Sequence, residues 1–205
     1  MVPDRDTLMR AVRPDFPTAA PVHRLDRATS GCLLLSLDPA FTPTLQDALA
    51  VGRKRYLAFV RGQVKFAAGT RVTNPMKGED GVLRDAETVL TPVGATDEPR
   101  SSLVLAVPVT GRFHQVRRHL RDLNHPVLGD AVHGDTRVNR WWREERGLPR
   151  LGLHCLSLDV QAEGERIVAT CPVPDDLRLL WQGLPWWGDA VAAVPELLLP
   201  ATVPG

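Results

Sequence analysis

The chain is 205 residues long and 43% hydrophobic, enough for one substantial core, so a single catalytic domain over residues 1–205 with its core at about 20–185 is the expectation. A formal net charge of +1 neither requires nor excludes a polyanionic partner, because basic charge can be confined to one face. Asp4, Arg5, Asp6, Arg10, Arg13 and Asp15 interrupt any early apolar run, so nothing resembles a secretory signal, and no later run could span a bilayer; a soluble, cytoplasmic protein is the expectation.

In chain order, residues 1–21 are polar and broken by Pro3, Pro14, Pro17 and Pro21, and predict a tail or partial lead-in. The run 32–37, entered through Thr29-Ser30-Gly31 and closed by Asp38-Pro39, predicts a buried strand. Leu45, Ala48 and Leu49 recur at helical spacing before Gly52 and predict a helix. Residues 56–60, 88–90 and 103–107 predict three further strands joined by Gly-, Asp-, Pro- and Thr-rich connections. From Gly111 the period becomes helical, with Phe113, Val116, Leu120 and Leu123 as an apolar stripe and His114, Arg117, Arg118 and Arg121 as a basic one.

Residues 137–150 read as an irregular basic segment around Trp141-Trp142. They fit an RNA-backbone platform or, equally, a loop that caps the core while Glu144 and Glu145 offset the charge. A strand is predicted at 153–158, packing for Trp186-Trp187, and a C-terminal tail from about 190, marked by Pro195, Pro200 and Pro204. All but Lys54, Lys65 and Lys77 of the 25 basic residues are arginine, which suits planar phosphate contacts, although a GC-rich genome produces the same bias. Cys32, Cys155 and Cys171 are odd in number and lack CxxC spacing, which predicts small core residues rather than disulfides or a zinc ribbon.

His23-Arg24-Leu25-Asp26-Arg27, followed by Thr29-Ser30-Gly31, sets an acid between two arginines, whose charges favour the carboxylate form. Taken alone it also fits a surface turn. Three more blocks follow: Lys54-Arg55-Tyr56-Leu57-Ala58, then Gly111-Arg112-Phe113-His114-Gln115-Val116-Arg117-Arg118-His119-Leu120, then His125-Pro126-Val127-Leu128-Gly129-Asp130 with His133-Gly134. In this order, covering residue 23 to about 160, they resemble the RluA-type family of pseudouridine synthases.

The resemblance implies an α+β fold: a mixed, mainly antiparallel sheet with flanking helices and a central active-site cleft. It implies that Asp26 is the catalytic carboxylate, that Tyr56 stacks under the uracil ring and that Arg117 pairs with Asp26; helix phase leaves Arg112 or Arg118 as alternative partners. Arg24 would fill the place of the flipped base. On the substrate side stand His23, Arg27, Arg112, His114, Gln115, Arg118 and Arg121, with Arg118 and Arg121 expected on phosphates.

These assignments suit the chemistry, since isomerisation needs a carboxylate and a pocket that retains a detached pyrimidine, and it needs no redox or metal step. His114/His119 and His125/His133 have poor spacing for a metal and there is no HExxH, so no metal and no cofactor are expected. The expected partner is RNA, with no obligate protein partner and a monomeric state. Arg117-Arg118-His119-Leu120, His133-Gly134-Asp135, Arg137 and Asn139-Arg140 look most like members that modify uridine 65 of tRNA, with 23S rRNA as the alternative. A rival from another class is a catalytically silent RNA-binding protein. Family members carry a strand-forming, Asn-Lys-Pro-like segment ahead of the catalytic motif, so either the given start is a truncation or the sheet is shorter.

Overall fold

The computed structural model describes residues 8–200. Its first part runs through α1 (Leu8–Val12), β1 (Ala20–Pro21), β2 (Ser30–Gly31), β3 (Leu35–Ser36), α2 (Thr42–Val51) and β4 (Arg53–Arg61). Then come β5 (Thr70–Val72), β6 (Met76–Lys77), β7 (Leu83–Arg84), β8 (Thr88–Asp97) and β9 (Arg100–Pro108). The remainder is α3 (Gln115–Asp122), α4 (Thr136–Arg146), β10 (Leu153–Ala162), β11 (Glu165–Thr170), α5 (Asp175–Gln182) and α6 (Trp187–Ala193).

The sheet is organised by β4, whose Tyr-Leu-Ala-Phe-Val run is apolar at consecutive positions, as a strand covered on both faces requires. Side chains alternate across the sheet. Leu57 and Phe59 join Trp142, Trp181 and Trp186 in a cluster under α4, α5 and α6; Ala58 and Val60 join Val116 and Leu120 under α3. The strand order is β11-β10-β4-β9-β8-β5, antiparallel throughout, and β2 adds to β10 as the one parallel pair of this seven-stranded sheet. The result is the mixed, mainly antiparallel α+β arrangement that the family resemblance implied. None of the described helices is long and apolar enough to cross a membrane.

Several local expectations are corrected. Residues 32–37 are not one strand. Gly31 turns the chain at φ +115°, and Leu34 offers its carbonyl to the Val22 N–H and its own N–H to the His23 ring, which leaves only the two-residue β3. The segment read as irregular at 137–150 is largely the helix α4, capped by the Asp135 carboxylate on the Arg137 and Val138 N–H groups and ended by Gly147 in the left-handed region. Phe113 lies outside α3 and is exposed, because His114 just before the helix has a left-handed backbone. The lead-in predicted over 1–21 falls partly outside the described residues; from Leu8 it holds α1 and β1, the latter paired with β3.

The C-terminal tail expected from about 190 is packed instead. Ala190, Val194 and Leu197 are fully buried against the tryptophan cluster, and Glu196 accepts a hydrogen bond from Arg55 at 2.6 Å. Pro204 lies outside the described residues.

Gly31 is the residue on which the loop before β2 depends. A Cβ there would lie 2.1 Å from the Cys155 carbonyl oxygen, and its φ is one that L side chains rarely adopt. Gly31→Ala should therefore cost on the order of 2 kcal/mol or more. Thermal unfolding followed by circular dichroism should show Tm lowered by roughly 4–8 °C, whereas a Tm within about 1 °C of the parent would contradict this reading of the turn.

Candidate active site

Residues 22–29 form a short loop fixed at both ends. At its start Val22 is buried and donates to Leu34 O; burial also lowers the His23 pKa, so the neutral ring accepts the Leu34 N–H at its Nε2, 3.1 Å away. At its end Ser30 and Gly31 pair with His154 and Cys155 of β10. The His154 pKa falls to about 4 through burial; its neutral ring donates from Nε2 to Cys171 O at 2.9 Å, which leaves Nδ1 to accept the Ser30 hydroxyl at 2.9 Å. Between these anchors a turn from Asp26 O to Thr29 N, 2.8 Å, presents the Asp26 side chain to a cavity.

Arg117 meets that carboxylate from α3. Its Nη1 donates to Asp26 Oδ2 at 2.8 Å, while Nε and Nη2 grip Asp130 Oδ2 and Oδ1 at 2.7 and 2.8 Å. The Asp130 side chain is fully buried, and its Oδ1 also accepts the N–H groups of Val132 and His133 at 2.9 Å each. Burial by itself would push the Asp130 carboxyl up; the Arg117 and backbone bonds outweigh it and hold the pKa below the ordinary value. Burial likewise opposes the charge on Arg117, and the two carboxylates outweigh that, so its pKa is raised. Of the partners that helix phase left open, Arg117 makes the contact.

Asp26 Oδ1 is left open, with His114 Nε2 3.7 Å away. His114 Nδ1 lies 2.9 Å from His133 Nε2, and burial lowers the pKa of both rings. With both neutral, the arrangement compatible with the carboxylate puts a proton on His114 Nε2, facing Asp26, and makes Nδ1 the acceptor of the His133 Nε2–H.

The cavity, about 540 Å³, is lined by Asp26, Arg117, His114 and Tyr56, with Arg24 and Phe113 at its edge. Tyr56 stands on β4 opposite Cys155 and Ala106, on the α3 face of the sheet. Burial first, then Cys155 and the Asp26 charge, push its phenol far above the ordinary value, so it stays protonated. The Arg24 guanidinium lies 5.9 Å over the Phe113 ring, which stacks on His114 with 3.7 Å between centroids.

The remaining predicted residues divide. His23, Arg112 and Gln115 line the cavity but have structural engagements. Gln115 is buried with all its polar valences in use: Oε1 accepts the Thr110 hydroxyl and the Arg112 N–H, and Nε2 donates to Glu87 O and Thr88 Oγ1. Arg112 donates from Nε to Asp85 O. Arg118 turns to the carbonyls of Lys77 and Phe113, Arg121 pairs with Asp122 at 2.6 Å, and exposed Arg27 is outside the cavity lining. Among the described residues, no group of three or more His, Cys, Asp or Glu side chains could hold a metal ion.

Asp130 was not assigned a role from sequence, although it closes the His125-to-Asp130 block. Its role follows from the burial of Arg117, which the sequence did not show: a guanidinium has five donors, and Asp26, one-fifth exposed, cannot satisfy them unaided. Lys54, which donates to Leu49 O at 2.7 Å and has its pKa lowered by burial, and Thr29, whose buried Oγ1 has no hydrogen-bond partner, also line the cavity.

A family model described as RNA pseudouridylate synthase matches residues 13–122. The chain is 37% identical over 186 residues to tRNA pseudouridine synthase C of Yersinia pestis, covering 80% of this chain and 70% of that protein. It is 36% identical over 193 residues to ribosomal large subunit pseudouridine synthase C of Haemophilus influenzae, covering 86% of this chain and 58% of that one. Among solved structures, human RNA Pseudouridylate Synthase Domain Containing 1 superposes with a TM-score of 0.68 at 29% identity, over 85% of this chain and 78% of the human one.

The Arg117–Asp130 pair should dominate the acid limb of stability. A carboxyl whose folded pKa is depressed stabilises the fold above its unfolded value, about 4, and loses that contribution as pH falls toward the folded one. Asp130→Asn should cost about 2–4 kcal/mol at neutral pH, since a buried guanidinium loses a charged partner. Urea unfolding from pH 7 to pH 3 should show variant and parent converging below about pH 4; a gap that does not depend on pH would exclude an ionised Asp130.

Proposed function

The chain belongs to the RNA pseudouridylate synthase family, whose enzymes isomerise uridine to pseudouridine in RNA, and we propose that this one acts on tRNA at uridine 65, with Asp26 as the attacking carboxylate. The observation that carries the residue assignment is the Arg117 contact, which occupies Asp26 Oδ2 and leaves Oδ1 free inside the cavity that Tyr56 lines.

The reaction breaks the bond from N1 of uracil to C1′ of the ribose and makes one from C5 to C1′; C5 gives up a proton and N1 gains one, with no net redox change. Asp26 supplies the charge-stabilising or nucleophilic oxygen, and the Arg117 hydrogen bond aims it. A protonated Tyr56 offers a ring face on which the freed pyrimidine can turn in its plane. The unpartnered Thr29 hydroxyl is a further polar group available to substrate. A uridine in the T-arm stem must leave its helix at a cost of a few kcal/mol, and Arg24, on the cavity edge over Phe113, is the side chain proposed to fill the vacated stack.

tRNA is favoured because several similar curated proteins, at 33–37% identity, bear the name tRNA pseudouridine synthase C. The chain spans 70% and 64% of the lengths of the Yersinia pestis and Vibrio vulnificus proteins. Pseudouridine mapping of total RNA from cells lacking the gene should show one site missing, in the tRNA T-arm. The parent gene should restore it, and Asp26→Asn should lower the single-turnover rate at least about a thousandfold with the fold intact. A site lost from 23S rRNA with tRNA unchanged would refute the tRNA assignment; full activity of the Asp26→Asn variant would refute the catalytic one.

A further inference from the structure

Behind the His114–His133 pair lies a second cleft, of about 730 Å³, with Arg61, Arg100, Arg121, His125, His133 and Trp141 in its walls. We infer that this groove holds the RNA strand adjoining the target nucleotide, with a neighbouring base stacked on Trp141 and its phosphates on Arg100 and Arg121. The inference rests on the reading of the chain as an RNA-modifying enzyme.

Trp141 is one of the large hydrophobic side chains that the fold leaves substantially exposed. Its neighbour Trp142 is buried edge-on against Phe59, 5.0 Å between centroids, whereas Trp141 keeps 41% of its surface exposed. Perpendicular contact with Trp142, at 5.3 Å and 89°, fixes the orientation of the outer indole. The Arg146 guanidinium lies over the Trp141 ring at 5.4 Å. An anchored, exposed aromatic beside arginines is a stacking platform for an unpaired base, and such stacking tolerates any sequence.

Charge points the same way. The acid in the groove wall, Asp135, already accepts the Arg137 and Val138 N–H groups as the cap of α4, and its contact with Arg61 is long at 3.4 Å. Arg121 faces Asp122, but both partners are partly exposed, and surface ion pairs of this kind are weak enough for a phosphate to displace. The groove also adjoins the chemistry. His133 lines it, His114 lines the Asp26 cavity, and the two rings touch, so a strand whose target base enters the cavity can continue along the groove.

Full-length parent, Trp141→Ala, Trp141→Phe and Arg100→Ala proteins should be compared for tRNA affinity over a range of KCl and for single-turnover pseudouridine formation at saturating tRNA. Trp141→Ala should weaken binding by about 5–100-fold, Trp141→Phe should recover most of it, and both should keep the saturated rate within about twofold. Arg100→Ala should flatten the slope of log affinity against log salt by about 0.7–0.9. Unchanged affinity and salt slope in these variants, with an active parent, would overturn the groove assignment. A parent that binds tRNA but makes no pseudouridine would refute the enzymatic reading instead, while the affinities still report on the groove.

Discussion

A buried guanidinium cannot stand alone, and the three-way contact of Arg117 with Asp130 and Asp26 is the constraint that the rest of the site obeys. Removing such a charge from water costs several kcal/mol unless carboxylates with good geometry surround it. Asp130 provides two bonds, and two backbone N–H groups hold Asp130 itself in place. Its carbonyl is tied in turn by the Asn139 amide from α4 at 2.8 Å. The loop at 22–29 is thereby locked at one point to α3 and the turn at 130–133, some ninety residues on in the chain. Asp26 is the member of this cluster that solvent and substrate can still reach.

The same arrangement explains how the site can be held without a metal ligand set among the described residues. Fixed donors hold the Asp130 and Asp26 side chains from one side, while Oδ1 of Asp26 faces the cavity. Burial keeps Tyr56 protonated and the His114 and His133 rings below their ordinary pKa, so these three groups add no charge beside that oxygen near neutral pH.

Much of this was legible in the sequence, and what was not has physical causes. Strands β4, β8, β9 and β10 announced themselves because they are covered on one or both faces and therefore apolar in runs, and α2 because Leu45, Ala48 and Leu49 fall on one side. Helix α4 was missed because only Asn139 and Trp142 are buried, which leaves no apolar period to detect; its Asp135 cap and Gly147 stop were the available signals. On α3 the residue types misled. The basic stripe grouped Arg117 with Arg118 and Arg121, but Arg117 is buried, as are Gln115 and His119, because their partners Asp130, Thr88, Glu87 and Asn74 come from elsewhere in the chain. A local pattern carries no trace of such pairings. The motif around Asp26 was readable as a resemblance, yet nothing in its spacing disclosed that Gly31 lies so close to β10 that an added Cβ would meet the Cys155 carbonyl oxygen at 2.1 Å.

The central claim is that Arg117 acts on Asp26 as one unit with Asp130, and a double-mutant cycle in single-turnover kinetics tests it most directly. Arg117→Lys, Asp130→Asn and the double variant would each be measured at saturating RNA, with affinity determined separately. Strongly non-additive losses are predicted, the double variant being little slower than the slower single one, with affinity nearly constant. Additive losses, or an Asp130→Asn enzyme that turns over at the parent rate, would contradict the account.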